Sequence, residues 1–241
     1  MKTAVIIQAR MGSERLAGKV MKQLAGRPLL WHVIQRVKRA LTVQEIVVAT
    51  TSDPQDTMIA DECRKWGISV FRGDENDVLG RYYMASQLVK ANIICRVTAD
   101  NPLVEPVFID MAYARMSYSG EDYVCIDGCP LGTGIELFSK TSLEQSALNA
   151  DQAYEREHVT PYIRRNSHQF KCGQVQVPFH LLRPDLRLTV DTQEDFCLME
   201  TIYERLYRDT TVINLMDVIN LFVDEPVLCH INEHIKQRSV C

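Results

Sequence analysis

Residues 4–19 read A-V-I-I-Q-A-R-M-G-S-E-R-L-A-G-K. The apolar run 4–9 has the continuity of a strand buried on both faces. It feeds directly into a loop that carries Arg10, Gly12, Ser13, Arg15, Gly18 and Lys19. Glycine lets backbone N–H groups turn toward an anion, arginine offers planar forks to phosphate oxygens, and lysine adds a point charge. Together they make a polyanion cradle, and ligands of open α/β sheets sit at this carboxyl edge of the strands. The bland alternative is a solvated basic turn. The spacing is neither the G-x-x-x-x-G-K-[ST] of an ATPase phosphate loop nor the G-x-G-x-x-G of a dinucleotide-binding turn, which argues against a dehydrogenase.

Outward from this stretch, strands and helices alternate. Pro28 opens a helix to about residue 41, and 45–50 is a second strand. Asp53-Pro54 starts a helix that ends near Trp66-Gly67, followed by a strand at 68–71 and a helix at 77–90. A strand at 92–98 precedes a helix opened by Pro106 and running to about 117. Continuous apolar strands between helices predict an α/β protein with a mostly parallel sheet and helices on both faces. The second half is less regular, with strands at 122–126, 131–138, 170–177 and 187–190. Helices are expected at 141–149, 154–166 and 193–207, with final segments at 212–222 and 226–235. No linker, repeat or low-complexity stretch interrupts the 241 residues, so one domain over 1–241 is expected.

Composition narrows the function classes. A net charge of −4 argues against general nucleic-acid binding, which needs a basic face. No apolar run has membrane-spanning length and the start lacks signal-peptide features, so a cytoplasmic protein without membrane contact is expected. The eight cysteines are Cys63, Cys95, Cys125, Cys129, Cys172, Cys197, Cys229 and Cys241, with no C-x-x-C among them. They read as reduced, mostly buried thiols. Cys125, Cys129 and His158 would make only a partial zinc set.

Two carboxylates stand out. Asp100 follows the 92–98 strand and therefore reaches the edge that holds the cradle. A carboxylate beside a polyphosphate is unfavourable unless a cation lies between them, and Mg²⁺ is the natural one. Asp191, after the short strand at 187–190, would complete a two-carboxylate metal site. The structural alternatives are that Asp100 caps a turn and that Asp191 or Thr192 is the N-cap of the next helix, with Glu194 or Asp195 in its first turn. Ala9, Thr50, Thr51 and Asp53 also follow strands toward this edge, as does the stretch 73–81 that ends in Arg81. Glu136 and the segment Y-E-R-E-H-V-T-P-Y at 154–162, with Glu155 and His158, are the candidates to meet an acceptor. His158 is either a general base or a structural histidine.

The motifs A-R-M-G-S-E-R-L-A-G-K at 9–19, G-R-P-L-L at 26–30, A-T-T-S-D at 49–53, D-N-P-L at 100–103 and V-D-T-Q-E-D-F at 190–196 resemble the sugar-acid cytidylyltransferases. Those enzymes activate sialic acids and 3-deoxy-manno-octulosonate with CTP. G-D-E-N-D-V-L-G-R-Y at 73–82 and E-R-E-H-V-T-P-Y-I at 155–163 point to the branch named for spore coat polysaccharide biosynthesis protein F. The resemblance implies a three-layer nucleotide-diphospho-sugar transferase (Rossmann-like) fold with a mixed, mostly parallel sheet, and a homodimer, with 122–186 as the acceptor-side and dimer-side elaboration. It implies that Arg10, Ser13 and Lys19 contact the CTP phosphates and that Asp100 and Asp191 hold Mg²⁺. The loop from Ala9 to Gly12, the segment from Thr50 to Asp53 and Arg81 would lie near the nucleotide, and Glu136, Glu155 and His158 near a small anionic acceptor. Arg10, Lys19, Asp100 and Asp191 would be the catalytic set. Ala17 and Ala99 depart mildly from the pattern. Gly134 departs more, standing where the branch reads aspartate. A glycosyltransferase that consumes a nucleotide sugar, or an inactive nucleotide-binding subunit, are the rival readings of the same fold.

Overall fold

The computed structural model of the protein describes residues 1–209 and 211–237. Strand β1 (Thr3–Gln8) runs through the middle of a sheet that has seven strands among those residues. The others are β2 (Glu45–Thr51), β3 (Ser69–Gly73), β4 (Ile93–Thr98), β5 (Tyr123–Asp127), β6 (Glu136–Ser139) and β7 (Cys172–Gln176). Their order is β3-β2-β1-β4-β6-β5-β7. Only β6 is reversed; it runs antiparallel to β4 and β5, while every other pair is parallel. The sheet is thus mixed and mostly parallel. Residues 122–186 supply three of its strands.

Side chains alternate along β1, so Val5 and Ile7 enter one core while Ala4 and Ile6 enter the other. The first core is covered by α1 (Leu29–Val37), α2 (Thr57–Lys65), α4 (Pro106–Ser119), α8 (Gln193–Leu206) and α9 (Leu215–Asp224). The second is covered by α3 (Val78–Val89), α5 (Lys140–Asn149) and α7 (Pro161–Arg165). The chain builds outward from β1 through β2 to β3. Helix α3 then crosses the opposite face and returns the chain to the other side of β1 as β4. Strand order therefore reverses between β1 and β4, and the loops after these two strands diverge to leave a crevice. Gln8 pairs with Thr98 at its floor.

Three expectations are corrected. The helix expected at 154–166 is two helices, α6 (Ala153–His158) and α7. Between them Val159 sits at φ 71 and ψ −53, and the Thr160 N–H donates to the His158 carbonyl at 2.8 Å. This is a γ-turn with positive φ at a buried β-branched residue, and Pro161 then starts the new helix because it has no N–H to continue the old one. The strands expected at 131–138 and 187–190 shrink to β6 and to a single parallel bridge between Leu131 and Arg187. Gly132 at φ 95 breaks the extended run. Of the described cysteines, Cys63 and Cys95 are buried, Cys125, Cys129 and Cys229 half-buried, and Cys172 and Cys197 exposed. All seven are free thiols, and they are less uniformly buried than expected. Cys241 lies outside the described residues. Among the described residues, no helix is long and apolar enough to cross a membrane.

One buried group on α1 gives the fold a pH dependence. His32 donates from Nε2 to the Leu24 carbonyl at 2.6 Å and meets the Tyr203 ring edge-on at 4.8 Å. Burial, with Arg27 and Arg36 nearby, pushes its pKa down to about 4 despite the bond to Leu24. Between the ordinary value near 6.5 and about 4, the unfolded chain binds a proton that the folded chain refuses. Stability should therefore be full above pH 6.5 and fall by ~3 kcal/mol as pH drops to 4. Urea denaturation across this window is expected to show that loss in the wild type and a flatter profile in His32→Gln.

Candidate active site

The cradle is a closed loop. The Met11 carbonyl accepts from the N–H groups of Ser13 at 2.8 Å and Gly18 at 2.9 Å. Gly18 takes φ 65, which glycine adopts without strain, and turns the chain into the short 3-10 turn Lys19–Met21. Buried Asp56 ties the loop to β2, accepting the Met11 N–H at 2.7 Å and the Thr51 hydroxyl. Sequence reasoning passed over Asp56, because nothing distinguishes a buried anchoring aspartate from Asp53 three residues earlier.

Lys19 joins the three distant segments. Its Nζ lies 2.7 Å from Asp100 Oδ2 and 2.8 Å from Asp191 Oδ1. The Thr98 hydroxyl donates to the other Asp100 oxygen, and Asn101 Nδ2 donates to Thr98 at 2.9 Å. The other Asp191 oxygen takes Arg15 at 3.0 Å and Arg187 at 2.8 Å. Burial disfavours the Lys19 ammonium, yet Asp100 and Asp191 outweigh it and raise its pKa. Burial likewise disfavours the Asp191 carboxylate, and Lys19, Arg15 and Arg187 outweigh it and hold its pKa below the ordinary range.

Asp191 is free for this role because its neighbour caps the helix. Thr192 is the N-cap of α8, accepting from the Asp195 N–H at 3.3 Å. Asp195 accepts from the N–H groups of Asp191 at 2.9 Å and Thr192 at 3.1 Å, and Arg187 forks onto it at 2.9 and 3.0 Å. The 187–191 segment is bound in turn to the Asp100 loop, through the Val190 N–H on the Asp100 carbonyl at 2.9 Å and the Leu188 N–H on the Leu131 carbonyl at 2.7 Å. Arg36, buried, holds the next turn through Val104 O, Ile213 O and Glu105. Arg187 and Arg36 were not among the expected site residues; their role is visible only once the segments meet.

The remaining candidates divide. Ala9 is buried against Ala49, with its N–H on that carbonyl at 3.2 Å. Arg10 is exposed and pairs with Glu75 at 2.9 Å, and a side chain on Gly12 would meet the same Glu75 at 3.5 Å. Ser13 lines the loop, half-buried, and Asp53 caps the turn after β2 by accepting the Gln55 N–H at 2.8 Å. Three of the candidates are buried. Thr50 is wholly enclosed in β2, and its hydroxyl has no partner among the described residues. Arg81 points its guanidinium at the backbone, donating to the Glu75 carbonyl at 2.9 Å, and so shapes the loop that Arg10 meets. Glu155 has no exposed surface; it accepts from the Gln152 N–H at 3.4 Å to cap α6 and pairs with Arg165 at 3.1 Å. Glu136 and half-buried His158 lie on the second core's face of the crevice. Burial, with Arg96 nearby, lowers the His158 pKa against the pull of Glu157, which leaves a neutral imidazole at pH 7.

The donor set suits a hard divalent cation. Asp100 Oδ2 and Asp191 Oδ1 converge on one cationic point, occupied by an ammonium. Two carboxylates fit Mg²⁺, which takes few protein ligands and completes its shell with phosphate oxygens and water. Among the described residues, no cluster of three or more His, Cys, Asp or Glu side chains is arranged to hold a metal without such help.

Gly132 sets how closely the Asp191 segment approaches. A Cβ there would fall 2.6 Å from the Thr189 nitrogen and 2.8 Å from the Leu188 carbonyl carbon, at a φ of 95°. Gly132→Ala should destabilise the protein by ~2 kcal/mol or more, the scale of strained backbone plus a clash that only main chain can relieve. Chemical denaturation measures the loss.

Comparison with known proteins places this geometry in context. The sequence model of the family described as cytidylyltransferase matches residues 4–221. An uncharacterized protein of Methanocaldococcus jannaschii is 37% identical over 239 residues, 99% of this chain and 98% of that one. Spore coat polysaccharide biosynthesis protein SpsF of Bacillus subtilis is 34% identical over 222 residues, 89% of this chain and 92% of that one. A solved cytidylyltransferase from Leptospira borgpetersenii superposes with a TM-score of 0.88 at 28% identity, covering 99% of both chains.

Proposed function

The chain belongs to the cytidylyltransferase family, and from that premise we propose that it transfers CMP from CTP to a small anionic sugar or sugar-acid acceptor, with Mg²⁺, releasing pyrophosphate. It is an enzyme of the nucleotidyltransferase class with the nucleotide-diphospho-sugar transferase fold. The observation that carries the finer reading is the meeting of Lys19 with Asp100 and Asp191 at the strand-order reversal. Surface-polysaccharide biosynthesis is the setting suggested by the Bacillus relative's name.

In this reading the acceptor oxygen attacks the α-phosphate in line and pyrophosphate leaves. Arg10, Ser13 and Lys19 bind the phosphates, with Gly12 leaving the loop backbone open to them. Asp100 and Asp191 hold Mg²⁺, which supplies charge neutralisation at the phosphate. The protein's contribution is positioning and electrostatics rather than covalent chemistry. Each cradle cation is already paired, Arg10 with Glu75, Arg15 with Asp191 and Lys19 with both aspartates. Binding is therefore an exchange in which phosphate oxygens replace carboxylates around the cations. A carboxylate or phosphate acceptor needs no general base; for a hydroxyl acceptor, neutral His158 is the group on the acceptor side able to take the proton. We place the acceptor side and a homodimer contact on 122–186, where Phe179 stands 90% exposed, and the protein in the cytoplasm.

Two experiments test this. Thermal-shift screening of the four nucleoside triphosphates with Mg²⁺ should give the largest stabilisation with CTP. Pyrophosphate release with CTP and an acceptor panel should then fall at least ~10²-fold in Asp100→Asn, the scale of losing a charge-stabilising group. Near-normal release from a folded D100N protein would remove the metal site from the account.

The shared position of Lys19 gives an independent prediction. Lys19→Met removes the ammonium that competes for the two carboxylates and leaves them repelling each other. Calorimetric titration with Mg²⁺ alone should show binding tighter by roughly tenfold, while CTP-induced stabilisation weakens. Unchanged Mg²⁺ affinity would mean that the carboxylates do not form the cation site.

A further inference from the structure

Arg96 is a half-buried cation whose donors are mostly unspent among the described residues. It sits in β4 opposite Glu136 of β6. Its Nη1 donates to Glu136 Oε2 at 2.6 Å. Its Nε is buried and, among the described residues, has no partner. The guanidinium carries five N–H donors in a rigid fork, and 18% of the side chain remains open to solvent. Glu136 cannot take more of the fork, because its second oxygen accepts from the Tyr123 hydroxyl at 2.6 Å and the Thr160 hydroxyl at 2.8 Å. Burial opposes the Glu136 carboxylate, and Arg96 with those two hydroxyls outweighs it and keeps the group ionised. Both oxygens of Glu136 are thus engaged, and Glu136 holds Arg96 in place.

The surroundings are not a sealed core, since Arg96, Thr98, Glu136 and His158 are all half-buried. Gln8, two residues nearer the cradle than the Ile6 that pairs with Arg96 and on the same face, has a buried side-chain oxygen without a partner among the described residues. Thr98, across from Gln8, bonds to Asp100. The unpaired polar atoms therefore lie between the Asp100 loop and Glu136. The far wall is the strained γ-turn at Val159, flanked by His158 and by the Thr160 that bonds Glu136. Strained backbone persists only where its surroundings hold it. Here Arg156 clamps α6 to the N-cap of α3, meeting both oxygens of Asp77 at 2.9 and 2.5 Å. A side chain on Gly80 would collide with that carboxylate at 2.3 Å.

Resting on the acceptor reading above, we propose that Arg96 is the anion-binding residue of the acceptor pocket and that its open edge takes the carboxylate or phosphate of the acceptor. Arg96 and Asp100 are four residues apart, at most ~13 Å along a strand, and the long guanidinium arm shortens that span. The distance suits a single sugar whose acidic group lies several bonds from the attacking oxygen.

The test is an NMR titration of the full-length chain with ¹⁵N-labelled arginine Nε, using inorganic phosphate in one arm and acetate in the other. The Arg96 Nε–H signal, identified by its absence in Arg96→Lys, should shift saturably, and the arm that binds more tightly names the source of the anion. Arg96→Lys keeps the charge but loses the fork, and protection of this mutant by the preferred anion in thermal shift should weaken at least tenfold in apparent affinity while its CTP stabilisation matches wild type. If Arg96→Lys does not fold, Glu136→Gln identifies the resonance by moving it, and the wild-type titration decides. No saturable shift at Arg96 in either arm overturns the proposal. Failure of CTP to stabilise the wild type would instead count against the nucleotide reading, a separate readout from the Arg96 signal.

Discussion

Two carboxylates that are ninety-one residues apart in the chain share one cation, and the rest of the structure serves that meeting. Asp100 and Asp191 would repel each other at this distance in a partly buried setting. Lys19 makes the arrangement stable, with Nζ at 2.7 and 2.8 Å from them. The ammonium comes from the loop after β1, Asp100 from the loop after β4, and Asp191 from the segment before α8. Only the reversal of strand order between β1 and β4 brings the first two to one crevice. Main-chain bonds from Leu131 to Leu188 and from Val190 to Asp100 then bring the third.

A second layer of buried charge keeps the first in place. Arg187 spans Asp191 and Asp195, and Arg36 gathers the carbonyls of Val104 and Ile213. Asp56 fastens the cradle to β2. Buried ion pairs of this kind add little net stability over apolar packing, but removing one partner leaves an uncompensated charge and costs several kcal/mol. Their effect is to make displaced arrangements of the loops expensive. That matters where the chemistry depends on position, because a mechanism built from electrostatics tolerates little misplacement.

The convergence of Lys19, Asp100 and Asp191 was legible in the sequence and the surroundings of Glu136 much less so. Apolar runs ending in Arg, Gly, Lys and Asp locate the carboxyl edge of a parallel sheet without knowledge of contacts, so Lys19, Asp100 and Asp191 could be placed together from pattern alone. The choice between Asp191 and Thr192 as helix cap was open, since both residue types cap well. The capping box through Asp195 decides it. The burial of Thr50, Arg81 and Glu155 was not legible, because a polar residue after a strand or in a charged segment looks the same whether it is exposed or enclosed. The helix at 154–166 was overextended because helical periodicity does not register a γ-turn at a valine. Glu136 was placed on the right face, but its partners, Arg96, Tyr123 and Thr160, come from three separate elements that no local pattern joins.

The departure at Gly134 follows the same logic. A side chain there would stand 2.9 Å from Cys129 Sγ, so the sulfur occupies the space that an aspartate in the branch pattern would need. A side chain at 134 would face Cys129 and Ile126, which pack on the first core, whereas Arg96 stands beside Ile6 on the second-core face. Glycine at 134 therefore bears on the packing of the Cys129 turn and not on the single carboxylate partner that Arg96 has among the described residues.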